Sequence, residues 1–124
     1  MSNDHFHHVT QSVSASLKQL RGDVPDTMRA FSQLAKAAGR DGALDRKTTG
    51  LIAMALSVAA RCDPCLGCHA QALVKLGATR AEFEDMLGMC IYMGGGPALM
   101  YASKALQAYE EFGGETAAAA AAGA

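Results

Sequence analysis

Apolar residues recur at three- and four-residue steps along most of the chain. Val9, Val13, Leu17 and Leu20 make one such stripe, and Met28, Phe31, Leu34, Ala35 and Ala38 make a second after Pro25. That spacing places each set on one face of a helix and predicts two amphipathic helices. Gly39 to Gly42 reads as a loop. Asp45 is then placed to cap a third helix running through Leu51-Ile52-Ala53-Met54-Ala55-Leu56 to about Arg61, because a short side-chain oxygen can accept from the free N–H groups of a first turn. The third helix is apolar on all sides and is expected to be central. Its continuous apolar stretch, Leu51 to Ala60, falls well short of the ~20 residues needed to span a bilayer, so no membrane partner is expected.

A fourth helix is predicted to begin at Asp63 as N-cap with Pro64 in the first helical position, where a missing N–H costs nothing, and to end near Leu76-Gly77. Thr79 and Glu82 have the spacing of a reciprocal capping box, opening a fifth helix with Phe83, Met86, Leu87 and Cys90 on its buried face. Gly94-Gly95-Gly96 breaks the pattern. Pro97 opens a sixth helix carrying Leu99, Ala102, Leu106 and Tyr109 on one side. No alternating strand pattern and no long-period repeat occurs, so the fold expected is one all-α domain of about six helices over residues 1–112. Residues 113–124 are rich in alanine and glycine and are expected to form a disordered tail.

Size and charge narrow the chemistry. A chain of 124 residues can bury a core without a disulfide framework, which leaves its four cysteines free for other work. The net charge is −1 and the eleven basic residues are scattered, so the basic patch of a nucleic-acid binder is missing. The amino terminus lacks a basic segment followed by an apolar run, and the expected compartment is the cytoplasm. There, clustered cysteines are more often catalytic or metal-binding than structural.

Three of the four cysteines fall in Arg61-Cys62-Asp63-Pro64-Cys65-Leu66-Gly67-Cys68-His69. Cys62 and Cys65 form one C-x-x-C and Cys65 and Cys68 another, followed at once by His69. The nonapeptide is compatible with a dithiol/disulfide pair, with a metal site, or with haem attachment through Cys65-Leu66-Gly67-Cys68-His69. Haem would require an export signal and would put both attachment cysteines inside a helix. An iron–sulfur cluster would need Cys90 as a remote fourth ligand, and Cys90 sits on an apolar stripe, where a small hydrophobic role fits better. Zinc held by Cys62, Cys65 and His69 has suitable ligand types and lacks a fourth. No cofactor is expected. For the dithiol, a cysteine at a helix start is favoured as thiolate by unpaired N–H groups and the helix dipole. His69, four residues after Cys65, shares its face and is positioned as base, relay or ligand. His5, His7 and His8 read as a solvated polar segment near the terminus.

Leu51 to Cys65 with His69, Gly77-Ala78-Thr79, and Met93-Gly94-Gly95-Gly96-Pro97-Ala98-Leu99 resemble the carboxymuconolactone decarboxylase and alkylhydroperoxidase D superfamily. The resemblance covers about Leu44 to Phe112 and lies on its C-x-x-C branch. It implies an all-helical domain that usually assembles as a trimer or as a hexamer of single-domain subunits, and the homo-oligomer expected here is a hexamer built as a trimer of dimers. It also implies that Cys65 attacks a peroxide to give a sulfenic acid and that Cys62 condenses with it to a disulfide. His69 relays the proton, and an external dithiol reductant restores the thiols. Peroxide or disulfide is then the substrate.

Two positions depart from the family pattern. Gly50 stands where a glutamate usually lies twelve residues before the first cysteine, and Pro64 stands where characterised peroxidases have a histidine. A glycine inside a helix also costs about 1 kcal/mol relative to alanine. The loss of the acid keeps two alternatives in view: a non-catalytic or metal-binding relative, and a decarboxylase-type acid–base enzyme. Cys68 is an addition to the pattern, expected to fill space against a neighbouring helix rather than to resolve an oxidised Cys65.

Overall fold

The computed structural model describes residues 4–119, and all of its regular structure there is helical. The elements are α1 (His5–Asp23), α2 (Pro25–Gly39), α3 (Arg46–Ala60), α4 (Asp63–Lys75) and α5 (Arg80–Glu111). α5 is broken at Gly95, whose φ of 70° and ψ of −151° are non-helical. The fifth and sixth helices expected from the pattern are its two halves, with Pro97 opening the second.

The caps explain where the helices start and stop. Asp45 accepts from the Thr48 N–H at 2.7 Å. Thr79 and Glu82 form the reciprocal box, with Thr79 N–H donating to Glu82 at 2.8 Å and Glu82 N–H donating to Thr79 at 3.1 Å. α4 ends at Gly77 in the left-handed region, φ 79°. There the Ala78 N–H reaches back to Leu73 O and the Gly77 N–H to Val74 O, which satisfies two carbonyls that a helix end leaves open.

α3, α4 and α5 surround one core made of Met54, Val58, Leu66, Leu73, Phe83 and Leu87, closed by a row of alanines on the second half of α5. Ala98, Ala102, Ala105 and Ala108 are buried there and let the helix approach its neighbours closely. Tyr109 stacks on Phe83 with ring centroids 4.6 Å apart. Its hydroxyl donates to Ala78 O at 2.7 Å, so this buried ring keeps its polar tip satisfied.

Burial differs from the sequence expectation in three places. α1 begins at His5, and its fully buried residue is Phe6, one turn before the expected stripe. α2 is a helix as expected but buries nothing: Phe31 is 66% and Leu34 62% exposed. α3 turns only Met54, Ser57 and Val58 into the core, leaving Leu56 65% exposed. An apolar periodicity marks which residues share a face and does not say whether this chain covers that face.

The expected tail has an ordered beginning. Gly114 N–H donates to Tyr109 O at 2.9 Å, and Glu115 accepts from the Arg80 N–H at 3.1 Å. The Arg80 guanidinium is buried against Glu84, Glu110 and the Glu115 carbonyl. The rest of the tail, 120–124, lies outside the described residues.

Candidate functional site

The turn between α3 and α4 builds the site. Arg61 takes a left-handed conformation, φ 56°, and reverses the chain within one residue. Cys62 N–H then donates to Ser57 O at 3.2 Å. Cys62 itself is extended and is the N-cap of α4, with its Sγ accepting from the Cys65 N–H at 3.2 Å. The expected cap, Asp63, is instead the first helical residue, and Pro64 occupies the second, still within the turn where its missing N–H is harmless. The shift of one residue arises because the sulfur of Cys62 is already aimed at the free amide.

Cys62 and Cys65 are joined as a disulfide, S–S 2.06 Å. Both are half-buried, with their sulfurs at the positive end of α4. His69 follows one turn later, also half-buried. Among the described residues it has no hydrogen-bond or ion-pair partner. Burial pushes its pKa below the ordinary 6.5. The imidazole is thus neutral at neutral pH and able to accept a proton.

This shift has a measurable consequence. Between the folded pKa and 6.5 the unfolded chain binds more proton than the native state, so the contribution of His69 to stability is fully present above pH 6.5 and is lost as pH falls through the folded value. NMR titration of the His69 ring should give a midpoint below 6.5, and His69→Asn should flatten the decline in stability below that pH. A midpoint at or above 6.5 would contradict the burial argument.

Gly50 is on α3 opposite α4. A Cβ added there would lie 3.0 Å from Leu73 Cδ2 and 3.7 Å from Leu73 Cγ. Leu73 is fully buried and lies four residues, one turn, after His69. The Leu73 side chain thus packs tightly against Gly50, the position where the resemblance implies a glutamate.

A different carboxylate lies at the site. Asp63 receives Lys104 Nζ at 2.8 and 3.1 Å and His5 Nε2 at 3.3 Å. Burial acts against its ionisation, but the bonds from Lys104 and His5 prevail and hold the carboxyl below its ordinary 3.8. Lys104 also lies 4.9 Å above the Tyr101 ring. Of the amino-terminal histidines expected to be solvated, His8 is exposed, His5 is exposed but bonds Asp63, and His7 is half-buried. His7 N–H donates to the buried Glu111 carboxylate at 3.0 Å, and the His7 ring packs on Phe112 at 4.5 Å. Lys104 and His5 were missed in the sequence because no helical periodicity links positions so far apart. The C-x-x-C signal pointed only to their partner.

The remaining cysteines separate clearly. Cys68 is a free, exposed thiol, contrary to the expected space-filling role, because position 68 faces away from α3 and α5. Cys90 is half-buried beside Met86 Sδ at 3.8 Å, and burial pushes its thiol pKa up, as suits an inert packing residue. Cys62 and Cys65 are bonded to each other in this oxidised form, and among the described residues no three His, Cys, Asp or Glu side chains gather into a metal-holding group. An apolar cavity of about 300 Å³ lies between α3 and the break in α5, lined by Ala55, Val58, Ala59, Met93 and Ala98 among others. Among the described residues no helix is long and apolar enough to cross a membrane.

A small all-helical domain with a C-x-x-C at a helix start and a histidine one turn on defines a class of thiol-bearing helical proteins. The sequence matches the carboxymuconolactone decarboxylase family over residues 25–108, and the chain belongs to that family. It is 43% identical over 86 residues to an uncharacterized protein of Cupriavidus necator, spanning 69% of this chain and 76% of the relative. It is 34% identical over 85 residues to uncharacterized protein 4 of the cox locus of Paracoccus denitrificans, spanning 68% and 77%. A crystal structure of a carboxymuconolactone decarboxylase family protein from Legionella pneumophila superposes with a TM-score of 0.87 at 56% identity, over 88% of this chain and 97% of that one. A Thermotoga maritima member, a candidate for the antioxidative response, superposes with a TM-score of 0.73 at 26% identity, over 82% and 87%.

Proposed function

We propose that the protein is a thiol-dependent oxidoreductase that reduces peroxides through a Cys62/Cys65 dithiol–disulfide cycle. The observation that carries this reading is the Cys62–Cys65 pair at the amino end of α4 with neutral, half-buried His69 one turn away. His69 accepts the Cys65 proton, and the thiolate attacks one peroxide oxygen. The O–O bond breaks, an alcohol leaves with a proton, and Cys65 becomes a sulfenic acid. Cys62 sulfur then attacks Cys65 sulfur, water leaves, and the disulfide forms. An external dithiol supplies two electrons and two protons to restore both thiols. When its thiolate attacks Cys65, Cys62 leaves as a thiolate already accepting the Cys65 N–H.

The test is to treat the reduced protein with an organic hydroperoxide and map its cysteines by mass spectrometry. A Cys65 sulfenate followed by the Cys62–Cys65 disulfide is expected. If neither forms, peroxide is not the substrate.

The cytoplasm is the proposed location. A homo-oligomer, a hexamer arranged as a trimer of dimers, accounts for the uncovered faces of α2, α3 and α5. Phe31, Leu34, Leu56, Tyr92, Met93 and Met100 are each large, apolar and exposed in the single chain, more than a soluble monomer ordinarily presents. Light scattering at micromolar concentration should give about six times the subunit mass, as expected for a closed trimer of dimers. A monomer there would overturn the assembly.

A further inference from the structure

The dipeptide between the two cysteines holds a charge that the peroxide cycle does not use. Asp63 is the first residue of α4, adjacent in sequence to Cys62, whose sulfur already accepts a helix-start N–H. Two anions compete for that positive helix end: the Asp63 carboxylate, always present near neutral pH, and the cysteine thiolate, present only after reduction. Lys104 comes from the second half of α5 and places its ammonium on both Asp63 oxygens, at 2.8 and 3.1 Å. His5, from the first turn of α1, approaches the same carboxylate at 3.3 Å. Three elements distant in sequence therefore converge on the residue beside the disulfide.

We propose that Asp63 and Lys104 are positioning residues that set the thiol–disulfide poise of Cys62/Cys65, with Asp63 favouring the disulfide and Lys104 favouring the dithiol. The proposal rests on the redox reading above. The couple is an exchange with an external thiol: the Cys62–Cys65 bond breaks, the protein gains two electrons and two protons, and two external thiols become one disulfide. A thiolate that forms at the start of α4 is repelled by Asp63 and attracted by Lys104. Because the two charges are paired, the native protein has a near-neutral local field. Removing either one exposes the other.

The prediction is a pair of shifts of opposite sign. Asp63→Asn keeps the side-chain shape and leaves the Lys104 ammonium uncompensated, so the dithiol gains. Lys104→Met keeps most of the stem and leaves the Asp63 carboxylate uncompensated, so the disulfide gains. Full-length protein is equilibrated with reduced and oxidised glutathione at pH 7, trapped by alkylation, and its Cys62 and Cys65 are quantified by mass spectrometry. Each single variant should shift the exchange constant about three- to tenfold, in opposite directions, the order expected for a nearby unit charge acting on a partly exposed thiolate. The double variant should return to within about twofold of native, and the single shifts should shrink at ~1 M salt. Lys104→Gln serves in place of Lys104→Met if the latter does not fold. A role confined to tethering α5 to α4 would move both variants in the same direction and leave the shifts insensitive to salt. That result, or shifts of less than about twofold in both, would overturn the proposal. If native Cys62 and Cys65 do not exchange with glutathione at all, the proposal is overturned, while the peroxide cycle is judged separately by the hydroperoxide mapping above.

Discussion

Cys65→Ser is expected to abolish peroxide consumption, by on the order of 10³-fold or more, since removing a nucleophile eliminates the covalent route rather than weakening it. Cys62→Ser should behave differently. Its Cys65 can still attack once in the absence of added thiol, giving a single equivalent of alcohol and a sulfenate that persists until an external thiol condenses with it. The contrast follows from the proposed cycle, in which Cys65 attacks and Cys62 resolves, the two sulfurs being directly bonded in the oxidised protein. Stopped-flow peroxide consumption with mass mapping of the cysteines provides the measurement. A Cys65–Cys68 disulfide mapped in Cys62→Ser would point to exposed Cys68, three residues from Cys65, as a second resolving thiol. Activity that survives in both serine variants and is lost in His69→Ala would instead place the chemistry in acid–base catalysis, as in the decarboxylase branch of the family.

The second large effect is structural. Phe6→Ala is expected to destabilise the protein by about 3 kcal/mol, within the usual range for truncating a buried phenylalanine. Phe6 is the one fully buried side chain of α1. It lies where α1 crosses α4 over Gly67, a crossing so close that a Cβ at Gly67 would stand 2.7 Å from Thr10 Cγ2 and 3.5 Å from Phe6 Cδ1. The first turn of α1 is otherwise held by hydrogen bonds of His5 to Asp63 and of His7 N–H to Glu111. Urea unfolding should show the loss, and limited proteolysis should cut the variant sooner near its amino terminus. Gly67→Ala should loosen the same crossing by overpacking, at a cost of about 1–3 kcal/mol. A loss below about 1 kcal/mol in Phe6→Ala would mean that α1 is held mainly by its polar contacts.

The helices were legible because the forces that start and stop them act over a few residues. Asp45, the Thr79/Glu82 pair and the glycine after Leu76 each act on backbone groups no more than five positions away. The Cys62, Cys65 and His69 grouping was legible for the same reason, since one turn of α4 and the cap before it bring all three together. Even the local reading erred by one residue at that cap, where a cysteine sulfur occupied the place expected for a carboxylate.

What the sequence by itself determined was therefore helix content, helix ends and the grouping of Cys62, Cys65 and His69, all set by contacts between near neighbours in the chain. Only the tertiary structure decided which apolar faces this chain covers, leaving α2 bare and half of α3 open. It also decided that Leu73 closes against Gly50, that Cys68 faces outward, and that Lys104 and His5 meet at Asp63. These depend on the crossing of helices separated by tens of residues, where packing volume and charge pairing across the fold select one arrangement and local periodicity is silent.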